Sequence, residues 1–124
     1  MQHTLLHITD CHLMPEGELL LNTDTNATLQ QVMQQALSEG RPRAIIATGD
    51  LAHSGGTPVY RRFLSIITDI CDAPLLCLPG NHDLAEEMRD AQLPMQTLTL
   101  GSWSVVGLDS HEDDVPKAHI DAAK

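Results

Sequence analysis

The chain has 124 residues, with 7 Lys and Arg against 17 Asp and Glu, and therefore a formal net charge of −10. The length suits one domain, and the acidic balance opposes binding to nucleic-acid backbones or to anionic membrane surfaces. The three cysteines show no framework spacing and no targeting or membrane-spanning segment is recognisable, so we expect free thiols, a cytoplasmic location and no membrane partner.

The first predicted strand covers residues 5–9, a short and mostly apolar run. It leads directly into Asp10, Cys11 and His12. If the extended backbone continues through these residues, Asp10 and His12 point to one side of the strand and Cys11 points to the other.

Two helices are predicted between the strands. Residues 25–39 carry apolar side chains at the spacing of one helical stripe, with Thr23 or Thr25 as the N-cap. The second helix has Thr57 as its predicted N-cap and Pro58 at its first position. The predicted buried residues are Leu29, Val32, Met33, Ala36 and Leu37 in the first helix and Val59, Phe63, Ile66, Ile67 and Ile70 in the second.

The second and third predicted strands also end in polar residues. Residues 44–48 run into Asp50, and residues 75–78 run into Asn81, His82 and Asp83. Apolar runs of this length, bounded by Gly and Pro, are typical of strands buried in a parallel sheet.

A short helix over residues 84–90 and a hairpin of residues 97–100 and 103–108 follow. The order strand, helix, strand, helix, strand predicts an α/β fold with parallel strands. The carboxyl ends of parallel strands lie at one edge of a sheet, so the polar residues after the three strands should gather there.

The gathered side chains form a mixed oxygen and nitrogen ligand set that suits Mn, Fe or Zn better than Ca or Mg. Asp50 is placed to bridge two ions, and an ion pair about 3.5–4 Å apart is the usual clamp for in-line displacement at phosphorus. His82 would then protonate the leaving oxygen, and Asp83 would orient its ring from outside the ligand set.

Each feature alone has a simpler explanation. Asp10 can close a turn, His12 can be an ordinary loop histidine, and Gly49-Asp50 is a common turn pair. Residues 81–83 can form an Asx turn before a helix. A metal site is favoured because three successive strand ends each carry a metal-competent side chain.

The same residues resemble the motifs of a known family. Asp10-Cys11-His12, Gly49-Asp50 and Gly80-Asn81-His82-Asp83 match D-x-H, G-D and G-N-H-[DE], the first three motifs of the calcineurin-like metallophosphoesterases. The surrounding residues 8–10, 47–52, 78–83 and 108–110 are similar to those of the bacterial class III cyclic-AMP phosphodiesterases. The resemblance runs from about residue 5 to residue 116.

This resemblance implies a four-layer αββα sandwich with a dinuclear Mn/Fe-type centre, Zn being the alternative metal. Asp10 and His12 would bind the first metal, Asp50 would bridge both, and Asn81 would bind the second metal and face the phosphate. His82 would contact the phosphate and assist the leaving group. The implied reaction converts a 3′,5′-cyclic nucleotide, a small-molecule substrate, to the 5′-monophosphate.

The sequence departs from the family in lacking the later G-H-x-H motif. Residues 1–124 are therefore predicted to be the N-terminal part of one metallophosphoesterase domain, truncated after the first half of the sandwich. Among the other histidines, His53 follows Asp50 by three positions, close enough to reach the metal edge, but a solvated loop residue is the favoured interpretation. His7 is interpreted as a packed or hydrogen-bonded strand residue. His111 is the better candidate for a substitute ligand, although the favoured interpretation gives it no such role.

Truncation would leave an apolar face and a sheet edge uncovered, which predicts self-association or binding to a complementing fragment. Two alternatives to the cyclic-nucleotide enzyme stay open. The chain can be a non-catalytic remnant that folds partly or self-associates, or a phosphoesterase acting on another phosphodiester or a phosphomonoester.

Overall fold

The computed structural model of the chain describes residues 4–110. Its elements in chain order are β1 (Leu5–Ile8), α1 (Thr25–Leu37), β2 (Ala44–Ala47), α2 (Thr57–Ile70), β3 (Leu75–Cys77), α3 (Ala85–Asp90), β4 (Leu98–Leu100) and β5 (Trp103–Val105). The alternation of strands and helices confirms the predicted α/β class.

The three strands β1, β2 and β3 form one parallel sheet in that order. Leu5 lies opposite Ala44, and Ile45 lies opposite Leu75, so the strands run in close register. All three strands therefore end at the same edge of the sheet, as predicted. The hairpin β4–β5 turns between Leu100 and Trp103 and forms a separate antiparallel pair.

The main core lies between the parallel sheet and the helices. Ile8, Ile45 and Cys77 belong to the same buried cluster as the helix side chains Met33 and Phe63. With so few aromatic residues in the chain, aliphatic and Met side chains fill most of this cluster, as the composition predicts. The sheet is thus packed firmly enough to hold the loops that leave its carboxyl edge.

The predicted helix N-caps are wrong by one residue. Asp24, not Thr23 or Thr25, caps α1, because its carboxylate accepts hydrogen bonds from the amides of Asn26 and Ala27 at 3.1 and 3.2 Å. The N-cap of α2 is Gly56, at φ +70° and ψ −155°, so Thr57 is already helical. Glycine is the residue that adopts this backbone conformation without strain.

Most of the predicted helix stripes are buried, but Val32 is 51% exposed. Val32 lines a groove beside β1 together with Leu21, which is 90% exposed in the loop after β1. Within residues 4–110, β1 pairs with β2 alone, so its other edge is unpaired in that part of the chain. Within the same residues, every helix is too short or too polar to cross a membrane.

Candidate metal centre

Three predicted ligands meet at the carboxyl edge of the sheet. The Nε2 atom of His12 lies 3.6 Å from Oδ1 of Asp10 and 4.0 Å from Oδ2 of Asp50. Each of the three side chains offers one ligand atom, and these atoms all lie within 4.8 Å of one another. Two carboxylates and an imidazole at this separation can together coordinate a transition metal ion.

The backbone at all three ligands is left-handed. The φ angles are +58° at Asp10, +47° at His12 and +49° at Asp50. The extended geometry expected after β1 therefore ends at Ile8, although the two side chains still reach the same edge. Non-glycine residues in this conformation concentrate at functional sites, where the surrounding structure holds them in place.

A ladder of backbone hydrogen bonds fixes the loops after β1 and β2 together. The Asp10 amide donates to the Gly49 carbonyl at 3.0 Å, and the His12 amide donates to the Asp50 carbonyl at 2.9 Å. The Leu13 amide then donates to the Leu51 carbonyl at 3.0 Å. The parallel pairing thus continues past the strands and sets the position of both ligand-bearing loops.

The loop after β3 joins the same centre. The backbone amide of His82 donates to Oδ1 of Asp50 at 2.9 Å. The Asn81 amide faces Asp50 at 3.1 Å from each carboxylate oxygen. With its nitrogen toward Asp50 it donates to both oxygens, and with its oxygen toward Asp50 it forms a three-oxygen set that suits a cation. Asn81 is therefore placed to share an ion with Asp50.

Asp83, predicted to orient the His82 ring, instead accepts hydrogen bonds from backbone amides and from Tyr60. It is buried, and its carboxylate accepts hydrogen bonds from the backbone amides of Leu51, Ala52 and Gly80 at 3.3, 3.2 and 2.8 Å and from the Tyr60 hydroxyl at 2.7 Å. The carboxylate thus holds loops rather than orienting the His82 ring. A buried carboxylate needs such donors, and the loop amides supply them.

Tyr60 and the cysteines beneath the centre stay protonated. Burial, followed by the hydrogen bond to Asp83, raises the pKa of Tyr60 well above its usual value. Burial also raises the pKa of Cys11 and of Cys77 to about 12. Both cysteines are free thiols, as predicted, and Cys11 packs against the core. Thiols in this state are poor metal ligands, because thiolates bind metals.

The structure also places histidines that the sequence left undecided. His7 hydrogen-bonds through Nε2 to the Thr48 hydroxyl at 2.6 Å, which confirms that it is a hydrogen-bonded strand residue. The His53 ring lies beside the rings of His12 and His82, with centroids 5.6 Å from each. The sequence signal for this location was the position of His53 three residues after Asp50. His111 lies outside the described residues.

The donor set fits a divalent metal. It combines carboxylate, imidazole and amide groups, and the three ligand atoms of the inner group lie within 4.8 Å of one another. Nδ1 of His12 is buried and has no hydrogen-bond partner in the described part of the chain, so packing and the two carboxylates hold this ring. Chemically, the edge can bind a cation and present His82 beside it.

Known proteins are similar to this chain in sequence. The family model described as calcineurin-like phosphoesterase matches residues 3–119. The chain is 38% identical over 113 residues to a 3′,5′-cyclic adenosine monophosphate phosphodiesterase of Pseudomonas aeruginosa, across 86% of this chain and 41% of the relative. It is 34% identical over 128 aligned positions to the protein of the same name from Escherichia coli strain K12, across 94% and 45%.

A third relative is a cAMP/cGMP dual specificity phosphodiesterase of Mycobacterium tuberculosis, 35% identical over 92 residues, across 70% of this chain and 29% of the relative. The chain thus spans less than half the length of these curated relatives. The family match nevertheless extends over most of the sequence and includes all three strand-end motifs. This chain belongs to the calcineurin-like phosphoesterase family.

Proposed function

We propose that this chain is the N-terminal part of one metallophosphoesterase domain that hydrolyses a 3′,5′-cyclic nucleotide such as cAMP to the 5′-monophosphate. The observation that carries the proposal is the meeting of Asp10, His12 and Asp50 within 4.8 Å at the sheet edge. The activities after which these relatives are named support the substrate class. The net negative charge of the chain repels a polyanion, which favours a small substrate over nucleic acid.

The proposed centre would take two divalent ions of the Mn/Fe type, with Zn as the alternative. Asp10 and His12 would bind the first ion, Asp50 would bind both, and Asn81 would bind the second. When bound, such ions polarise phosphoryl oxygens and lower the pKa of water. The chain's own part is to hold these four side chains on three loops that are hydrogen-bonded to one another.

His82 is the proposed general acid. Its backbone is anchored to Asp50, and its exposed ring lies 5.3 Å, between centroids, from the ring of His12. During hydrolysis an oxygen from water forms a bond to phosphorus, and the bond between phosphorus and O3′ breaks. The O3′ atom takes a proton from a protonated His82, and the 5′-phosphate stays attached to the sugar. The attacking water releases one proton to solvent, and His82 regains a proton from solvent, so the reaction consumes one water molecule.

The test is hydrolysis of bis(p-nitrophenyl) phosphate and of cAMP by the 124-residue chain with added Mn²⁺. We expect slow turnover, because the sequence contains no G-H-x-H ligands. Asp50→Ala should fall to background, and His82→Ala should lose roughly 10²–10⁴-fold. Asp72→Ala removes a carboxylate from an exposed pair with Arg41 and is the matched control.

Equal background rates in wild type, Asp50→Ala and His82→Ala would contradict the enzyme proposal and favour a non-catalytic remnant. Turnover of bis(p-nitrophenyl) phosphate without turnover of cAMP would instead move the proposal to another phosphodiester. Metal stoichiometry separates these cases further, since Asp50→Ala should lose bound Mn²⁺ while Asp72→Ala should retain it.

A further inference from the structure

The His53 side chain lies beside the candidate metal centre, although none of the three sequence motifs contains His53. Its ring stacks on the ring of His82 at an interplanar angle of 27°, with centroids 5.6 Å apart. It also meets the His12 ring edge to face at 5.6 Å, and the His12 and His82 rings are 5.3 Å apart. The three imidazoles therefore form one compact cluster.

The loop that carries His53 is held by defined contacts. Its backbone amide donates to the Leu13 carbonyl at 2.8 Å, and Leu13 pairs with Ala52 in a parallel bridge. The Ala52 amide in turn donates to the buried carboxylate of Asp83 at 3.2 Å. The contacts that place His12 and Asp50 thus also place His53, so its position belongs to the architecture of the site.

His53 lies outside the inner ligand group. The group whose ligand atoms approach within 4.8 Å consists of Asp10, His12 and Asp50. His53 instead lines a cleft of about 220 Å³ together with His82. Within residues 4–110, neither ring makes a side-chain hydrogen bond, so the ring nitrogens of both are open to a ligand in this cleft.

Other groups in the cleft are less suited to an anion. Neither Lys nor Arg is among the described residues that line it. The Tyr60 hydroxyl is occupied by Asp83, and the Ser54 hydroxyl, which also lines the cleft, donates to the Met14 sulfur at 3.7 Å. The Glu87 carboxylate lies against the N-terminus of α2, since a Cβ built on Gly56 would be 3.5 Å from its Oε1 atom. The two imidazoles are therefore the main donors available to an oxyanion there.

We propose that His53 donates a hydrogen bond to the phosphate group of the substrate, beside His82. The inference rests on the proposed function, because it assumes that a phosphodiester occupies this edge. A phosphodiester has two non-bridging oxygens; a neutral His53 ring has one N–H donor, and the protonated His82 ring that serves as the acid has two. Hydrogen bonds of about 2.7–3.2 Å let two rings with centroids 5.6 Å apart donate to one phosphate group.

The test is imidazole ¹⁵N–¹H NMR of the full 124-residue chain loaded with Zn²⁺ and titrated with dimethyl phosphate, a stable diester. The ring signals of His53 and His82 should shift along one saturation curve, while the His7 ring, held by Thr48, should not shift. His53→Ala should weaken dimethyl phosphate binding about tenfold, the loss expected for one hydrogen bond to a charged group.

Zn²⁺ affinity should stay within about twofold of wild type in His53→Ala, and His53→Gln, which keeps a donor, should recover part of the anion affinity. Ser65→Ala, at an exposed position of α2 that does not line the cleft, is the control and should bind as wild type does.

Three results would overturn the inference. A His82 shift without a His53 shift would remove His53 from the substrate and leave the proposed function standing. A His53 shift completed by Zn²⁺ alone, with weaker Zn²⁺ binding in His53→Ala, would make His53 a metal ligand. If neither ring signal shifts on addition of dimethyl phosphate, this inference and the proposed phosphate site are both overturned.

Discussion

One buried carboxylate sets the spacing between two ligand-bearing loops. Asp83 is the one charged side chain in residues 4–110 that is almost completely buried, at 1% exposure. Its hydrogen-bond donors come from the loop after β2, at Leu51 and Ala52, and from the loop after β3, at Gly80. A change at this carboxylate should therefore act on the position of Asp50 and Asn81 as well as on stability.

Tyr60→Phe tests the strength of this anchor. The substitution keeps the buried ring and removes the hydroxyl that donates to Asp83 at 2.7 Å and accepts from the Leu84 amide at 3.3 Å. Because a buried carboxylate loses a donor, we expect the free energy of unfolding to fall by roughly 1–3 kcal/mol. Urea unfolding of both proteins measures the difference.

Thr68→Val is the matched control on the same helix. It removes an exposed hydroxyl that donates to the Leu64 carbonyl at 2.8 Å, so its effect should stay within about 0.5 kcal/mol. If Tyr60→Phe costs no more than Thr68→Val, the Asp83 anchor contributes little to folding.

At the scale of the elements, the close approach of the loops after β2 and β3 leaves little room for a side chain at position 49. A Cβ built on Gly49 would lie 2.7 Å from both Cα and N of Gly80, and Gly49 has φ +124°. Gly49→Ala should therefore combine steric overlap with backbone strain and cost roughly 2–4 kcal/mol. It should also weaken Mn²⁺ binding about 10–100-fold, because Asp50 follows it directly.

Gly40→Ala separates the two contributions. Gly40 has a similar φ of +128° with open space around the added Cβ, so this variant carries the backbone strain alone. Unfolding and Mn²⁺ titration of both variants give the comparison. Equal stability losses, or unchanged Mn²⁺ affinity in Gly49→Ala, would show that the contact between Gly49 and Gly80 does not position the site.

The elements and the inner ligands could be predicted because both follow from local pattern. Apolar runs located the strands, and the shared edge of a parallel sheet then brought Asp10, His12 and Asp50 together. The left-handed ligands, the burial of Asp83 and the ring contacts of His53 with His12 and His82 could not be predicted. They depend on contacts between loops distant in sequence, such as the hydrogen bond from the His53 amide to Leu13, which leave no periodic signal.

For the whole molecule, two opposing effects decide whether copies associate. A groove of about 550 Å³ beside β1 is lined in part by apolar side chains, including Leu21 and Val32, and the β1 edge is unpaired within residues 4–110. Exposed apolar surface and open strand edges favour association. A net charge of −10 on a 13.5 kDa chain opposes it through repulsion that salt screens.

We therefore predict self-association that strengthens with salt. Light scattering at low protein concentration should give a mass above 13.5 kDa, rising between about 0.01 and 0.15 M NaCl as the Debye length falls from about 30 to 8 Å. Val32→Lys should lower the mass by placing a charge in the groove. Gln30→Lys, on the opposite side of α1, adds the same charge and should not. A constant monomer mass across this salt range would contradict the prediction, since screening would then expose no attraction.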